Sequence, residues 1–217
     1  MRIITFATQK GGSGKSTILA SIAVAAEAAG LRVAILDTDP QRTIVKWSNR
    51  RKVEGHATPF VRACEPHQLA AEIRKLPLQG IDLCLIDTAG AHNVSVAPAI
   101  EQADFCLVPV KPTIADAQAA TETAKALRER RKKFAFVLSQ CFGSTARVNE
   151  AAAGLLRHGE IAAANIYHRV DYPDADSAGL GVTEYNPNGP AAKELRLLWA
   201  WLFRAIGGES VKEESAA

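Results

Sequence analysis

The residues of this 217-residue chain with the most evident chemistry stand near its start, in Lys10-Gly11-Gly12-Ser13-Gly14-Lys15-Ser16-Thr17. Glycine tolerates left-handed backbone, so Gly11, Gly12, Ser13 and Gly14 can turn successive N–H groups inward around an anion without Cβ clashes. A helix opening directly after such a turn adds the positive end of its dipole. In that setting Lys15 is expected to reach the β- and γ-phosphates of a nucleotide. The Ser16 hydroxyl is expected to ligate Mg²⁺, and Thr17 to donate to the α-phosphate. The Gly-Lys-Ser end fits the general phosphate-loop pattern, whereas Gln9 occupies the place of its usual first glycine.

Two further segments end in carboxylates. Val33-Ala34-Ile35-Leu36 runs into Asp37-Thr38-Asp39-Pro40-Gln41, and Leu83-Cys84-Leu85-Ile86 runs into Asp87-Thr88-Ala89-Gly90. In an open α/β sheet, ligands bind at the carboxyl ends of the strands. Both clusters can therefore converge on the glycine loop. A single aspartate at a strand end is often only a turn former, but two such strands downstream of a phosphate loop read as parts of one site.

The elements that would position these groups follow from hydrophobic pattern. Ile3–Ala7, Val33–Asp37, Leu83–Asp87, Phe105–Val110 and Phe134–Ser139 are apolar on both faces, as parallel strands covered by helices must be. Between them, Ser16–Ala29, Gln41–Arg51, Pro66–Lys75, Ser95–Gln102, Ile114–Arg131 and Val148–His158 read as helices, and Ala191–Ile206 as a last one. This alternation predicts a doubly wound α/β fold, with a mostly parallel sheet and helices on both faces. Residues 1–207 are expected to form a single domain, and 208–217 a frayed polar tail.

Composition sets limits. Apolar residues make up 47% and charged residues 23%, ordinary for a soluble domain. No apolar run approaches the roughly 20 residues needed to span a bilayer. The start reads as a strand and not as a leader, so a cytoplasmic address is expected. Cys64, Cys84, Cys106 and Cys141 show no C-x-x-C pair and no histidine at zinc spacing; Cys84 and Cys106 read as buried fillers. A net charge of +3 is too mild to identify a nucleic-acid binder by itself.

The run Lys-Gly-Gly-x-Gly-Lys-Ser closely resembles the deviant phosphate loop of the ParA/MinD family of ATPases. The resemblance extends over nearly the whole chain, through the Asp-x-Asp-Pro-Gln segment, Trp47, Leu107–Thr113 and Gly189–Glu194. It is nearest to the short partition ATPases of the ParF type. A first strand beginning at residue 2 implies that the helix-turn-helix domain of longer relatives is absent. The resemblance implies ATP and Mg²⁺ as ligands and a homodimer closed around ATP. Lys10 would reach across that interface to the partner's nucleotide, where a second ammonium offsets charge on the transferring phosphoryl group. Asp39 would position the attacking water, Asp37 would support the metal shell, and Asp87 would act on Mg²⁺ directly or through water. Ser139-Gln140 and Tyr185–Asn188 would form the adenine pocket. Arg42 and the Asp87-Thr88-Ala89-Gly90 sequence depart from the common family pattern; Arg42 belongs either near the phosphates or at the dimer edge.

The same resemblance implies a slow ATPase that partitions plasmids or chromosomes and associates with the nucleoid. It would bind DNA non-specifically in the ATP state, answering to a centromere-binding partner of the ParB type. Such binding works through phosphates and weakens steeply with salt. Arg169 is the leading DNA candidate, with Arg147 and Arg196. The basic run Arg128–Lys133 reads equally as a solvated helix end. Rival readings are a membrane-associated switch like MinD and a ParA-like positioner of a non-DNA cargo. The last helix has core spacing at Leu195, Leu198, Trp199, Leu202 and Ile206, leaving Leu197 and Trp201 as a contact patch or as the edge of the core. The tail after it is acidic, with Glu209, Glu213 and Glu214, so no stable membrane association is expected. A metal-cluster protein would need bridging cysteines that are not evident.

Overall fold

A computed structural model describes residues 1–90, 96–143 and 146–208. Seven strands form one sheet in the order β3-β2-β4-β1-β5-β6-β7, and every pairing is parallel. The central strands are β1 (Arg2–Phe6), β2 (Val33–Asp37), β4 (Leu83–Asp87), β5 (Phe105–Val110) and β6 (Phe134–Leu138). All residues of β2, β4 and β5 are buried, which is why their sequences carry no polar alternation.

The two edges were not evident from pattern. Strand β3 (Phe60–Ala63) and the two-residue β7 (Glu160–Ile161) are short and partly exposed, so neither has an apolar run to announce it.

The glycine loop leads into α1 (Lys15–Ala28), an alanine-rich helix buried over most of its length between the sheet and the last helix, α9 (Pro190–Ala205). Leu195, Leu198, Trp199 and Leu202 of α9 are buried, as their spacing requires. Its other apolar pair divides. Trp201 meets Phe105 edge-on at 6.1 Å, whereas Leu197 is exposed. Helix α2 (Thr43–Val53) follows the Asp-Pro-Gln turn, α3 (Leu69–Lys75) follows a short 3-10 turn, and α4 (Ala97–Gln102) precedes β5. Helix α5 (Ile114–Glu129) starts where the Thr113 hydroxyl accepts the Asp116 N–H, and α6 (Ala146–Leu156) follows β6. Two short helices, α7 (Asp171–Ser177) and α8 (Val182–Tyr185), were not foreseen; each is too short to show helical periodicity.

All four cysteines are free and buried. Burial pushes the Cys84 and Cys106 thiols up to about 12, so they act as core fillers. Among the described residues no helix is long and apolar enough to cross a membrane. The acidic tail lies outside the described residues, apart from Gly208.

Candidate nucleotide site

The loop between β1 and α1 is held open from below. Gly12 and Gly14 adopt left-handed backbone, with φ of 71° and 84°. The Gln140 side-chain amide donates to the Gly12 carbonyl, and the buried Ser139 hydroxyl donates to the Ser13 carbonyl, both at 2.9 Å. A trans peptide points its C=O and following N–H in opposite directions. Pinning these carbonyls to the end of β6 therefore turns the Ser13 and Gly14 amides to the other side of the loop. The Ser13 hydroxyl is itself buried without a hydrogen-bond partner.

Lys15 opens α1 and is only 6% exposed. Its ammonium makes no ion pair among the described residues; burial lowers its pKa, against the opposing pull of Asp87 and Asp39. A buried ammonium without a bound counterion is costly unless an anion joins it.

The two carboxylate clusters meet beside it through sheet register. Strands β2 and β4 are neighbours, with Asp37 aligned on Asp87. Ser16 Oγ donates to Asp87 Oδ2 at 2.6 Å, while Asp87 Oδ1 is buried without a partner. Burial drives the Asp87 carboxyl up to about 7, with Asp37 adding to the rise and the Ser16 hydrogen bond opposing it. The Ser16 hydroxyl and the Asp87 carboxylate, with its orphaned Oδ1, form an oxygen-only donor set suited to Mg²⁺, which commonly takes one or two protein oxygens together with phosphates and water.

Asp37, expected to support the metal shell, also braces the turn that follows β2. Its Oδ1 accepts the Asp39 N–H at 3.0 Å and its Oδ2 accepts the Val45 N–H at 3.2 Å. Both oxygens are thus committed to the backbone of the turn and of α2, and the residue fixes that turn in place. Asp39 is half-buried and lines the cavity of about 490 Å³ that also contains the glycine loop. One of its oxygens accepts the Gln41 N–H at 2.8 Å.

Gly90, at the end of the Asp-Thr-Ala-Gly segment, closes on the loop from the side. A Cβ there would stand 2.8 Å from Gly11 Cα and 2.9 Å from both the Lys10 carbonyl and Lys15 Nζ. Only glycine fits without displacing the loop.

A second cavity, about 330 Å³, opens from Gly14, Thr17 and Ile18. Ser139 and Gln140 line it, as expected for a base pocket. Tyr185–Asn188 do not line this cavity. The opposite wall is built from Ile166, Tyr167, His168, Arg169, Tyr172, Pro173 and Asp176. Tyr185 Oη and Asn186 Nδ2 instead lie within hydrogen-bonding reach of Asp174 and Asp171 on α7, behind that wall. Tyr172 in the wall is 7% exposed and its hydroxyl is unpartnered. Nothing in the sequence marked this segment, because its ordering comes from tertiary contacts such as Arg50 to Asp176 at 2.7 Å.

Lys10 does not point at the nucleotide loop of its own chain. Its ammonium is held by Asp116 Oδ2 at 2.8 Å. Arg42 is engaged within its own chain: its guanidinium binds the carbonyls of Asp37 and Cys64 and the Glu65 carboxylate.

The DNA candidates are not gathered into one patch by any contact among the described residues. Arg169, the leading candidate, is paired with Glu194. Arg147 is exposed on α6, and Arg196 donates to the Pro187 carbonyl at 2.7 Å. In the basic run, Lys132 is spent on the carbonyls of Glu101 and Ala103, and Arg128 on that of His158.

The chain is 29% identical over 129 residues to the protein ParA of Rhizobium radiobacter, covering 59% of this chain and 57% of that one. It therefore spans little more than half the length of that relative. It is 26% identical over 198 residues to the maintenance of carboxysome distribution protein A of Halothiobacillus neapolitanus, covering 88% of this chain and 91% of that one. The fold matches the septum site-determining protein MinD of Pyrococcus horikoshii, solved with Mg-ADP. The TM-score is 0.78 at 19% identity, covering 95% of this chain and 97% of that one. Residues 4–182 match the CobQ/CobB/MinD/ParA nucleotide binding domain, and the chain belongs to that family.

Proposed function

We propose that the protein is a Mg²⁺-dependent ATPase whose ATP-bound homodimer is a switch for partitioning DNA. The observation that carries this reading is the pair of incomplete charges under the glycine loop: the unpaired Lys15 ammonium and the orphaned Asp87 oxygen. Ser16 and Asp87 would hold Mg²⁺. Bound there, the ion would neutralise charge on the terminal phosphates. The remaining work falls to the chain. The loop amides and Lys15 bind the phosphates, Ser139 and Gln140 keep the loop in shape, and Asp39 orients the attacking water. Lys10, released from Asp116, serves the nucleotide of a second copy.

DNA as the track rests on the resemblance of the phosphate loop and the aspartate segments to those of partition ATPases; contacts by Arg147 and Arg196 on the outer surface are part of this proposal, with a ParB-type partner stimulating hydrolysis. A second reading, a positioner of a non-DNA cargo, is favoured by the near full-length match to the carboxysome distribution protein. Co-sedimentation with non-specific DNA in ATP, in ADP and without nucleotide tests the proposal. Retention in ATP alone, abolished by Lys15→Ala and by high salt, is expected. Equal retention in all three states overturns the switch. Flotation with anionic vesicles in ATP and no DNA retention would replace it with a MinD-like membrane reading.

A further inference from the structure

The turn that carries Asp39 is fastened by a side chain no part of the site has yet used. From the geometry we infer that Arg42 is a positioning residue for Asp39, acting as a clamp between the ends of β2 and β3. This rests on the reading of Asp39 given above.

Arg42 is the last residue before α2 and sits in left-handed backbone, with φ 53° and ψ 40°. Residues with a Cβ rarely adopt that conformation unless their surroundings hold them there. Here the hold is visible. Nη1 donates to the Asp37 carbonyl at 2.5 Å and to the Cys64 carbonyl at 3.3 Å, and Nη2 pairs with Glu65. The Asp37 carbonyl also accepts the Cys64 N–H, so the guanidinium lies over the last rung between the two strands. Its main-chain N–H donates to the Asp39 carbonyl at 2.9 Å, closing the turn. One residue thus ties the turn to its own start through its backbone and to the sheet edge through its side chain.

A direct role on phosphate does not fit. The cavity at the glycine loop is lined by Asp39, Pro40, Gln41 and Thr43, with Arg42 omitted. The guanidinium charge is already matched by Glu65. Arginine suits the task because its planar fork can serve several acceptors at once; a lysine offers one point of attachment. The carboxylate side of the turn is fixed separately by Asp37, whose oxygens hold the Asp39 and Val45 amides. Asp39 therefore stands on a turn anchored from both sides, by Asp37 within and by Arg42 from the edge. Loosening either anchor shifts the carboxylate relative to the attacking water without touching the phosphate contacts.

The test separates backbone from side chain. Arg42→Gly suits the left-handed backbone but deletes the clamp, whereas Arg42→Lys keeps the charge but gathers its donors on a single nitrogen. Single-turnover ATP hydrolysis and ATP affinity would be measured for both, for Glu65→Gln, and for Arg42→Gly combined with Asp39→Ala. Misplacement of a catalytic group by about 1 Å costs on the order of a hundredfold in rate. Arg42→Gly is expected to slow hydrolysis by about ten- to a hundredfold with ATP affinity within about twofold. Arg42→Lys and Glu65→Gln should fall between it and the unaltered protein, and the double variant should be no slower than Asp39→Ala alone. Hydrolysis at the unaltered rate in Arg42→Gly overturns the clamp, as does a loss confined to ATP affinity or a double variant slower than Asp39→Ala. If Asp39→Ala itself hydrolyses normally, the reading of Asp39 fails instead, whatever Arg42 does.

Discussion

In the proposed ATP-bound dimer, the ion pair between Lys10 and Asp116 sets a cost on association that can be measured. Lys10 can serve a second copy only by leaving Asp116, and a symmetric dimer requires both copies to let go. The pair has one exposed end, with side-chain exposures of 43% for Lys10 and 6% for Asp116. A pair of this kind is worth about 1 kcal/mol. Two of them amount to about 2 kcal/mol, or about thirtyfold in the dimer dissociation constant. Asp116→Asn is the appropriate change. It removes the charge while retaining an acceptor for the Thr113 hydroxyl, and the helix cap through the residue-116 N–H is untouched. Sedimentation equilibrium with Mg²⁺ and a slowly hydrolysed ATP analogue should then show about thirtyfold tighter dimers. Lys10→Ala should bind the analogue and stay monomeric, and adding Asp116→Asn to it should change nothing. An Asp116→Asn protein with intact helix content and unaltered or weaker dimerisation would refute the latch.

Gly90→Ala should destabilise the nucleotide-free protein by about 1–3 kcal/mol, since the Cβ meets backbone on two sides. Nucleotide affinity should fall with it, read by thermal melts and calorimetry. Lys15→Met should raise the stability of the nucleotide-free protein by roughly 1 kcal/mol while abolishing nucleotide binding, because it removes an ammonium that burial disfavours. Asp87 gives a pH signature. Its carboxyl is raised to about 7, so the folded protein holds that proton more tightly than the unfolded chain. The contribution is complete at pH values below the ordinary aspartate range and is lost as pH rises through about 7. Melting of the magnesium-free protein from pH 5 to 8 should show this loss, and Asp87→Asn should flatten it.

How much of this was legible in the sequence follows from what each segment packs against. Val33–Asp37, Leu83–Asp87 and Phe105–Val110 are covered on both faces, and their apolar runs mark their limits to the residue. The glycine loop was legible because its demands are local: left-handed backbone, then a helix start. Phe60–Ala63 and Glu160–Ile161 were not, because an edge strand needs only one partner and tolerates polar residues. The same holds for the base-side wall. Tyr172 and Asp176 become site residues through contacts with distant parts of the chain, and no local spacing announces them. Lys10 was recognised as unusual by type, but its partner lies 106 residues away, on α5.

The register of β2 on β4 explains why the site works as a pair of deficits. Neighbouring parallel strands place Asp37 and Asp87 at the same level, both fully buried. Two carboxylates in such a place repel, and burial penalises each. The chain satisfies only one of them. Asp37 takes two backbone amides, whereas Asp87 keeps an empty oxygen beside a serine hydroxyl. Lys15 nearby is as incomplete in the opposite sense. Its charge favours Asp87 without a direct contact that would cancel both. A free metal ion would complete the carboxylate and strengthen the repulsion on the ammonium. A bare phosphate would do the reverse. A ligand carrying both charges, a metal phosphate, relieves the two together.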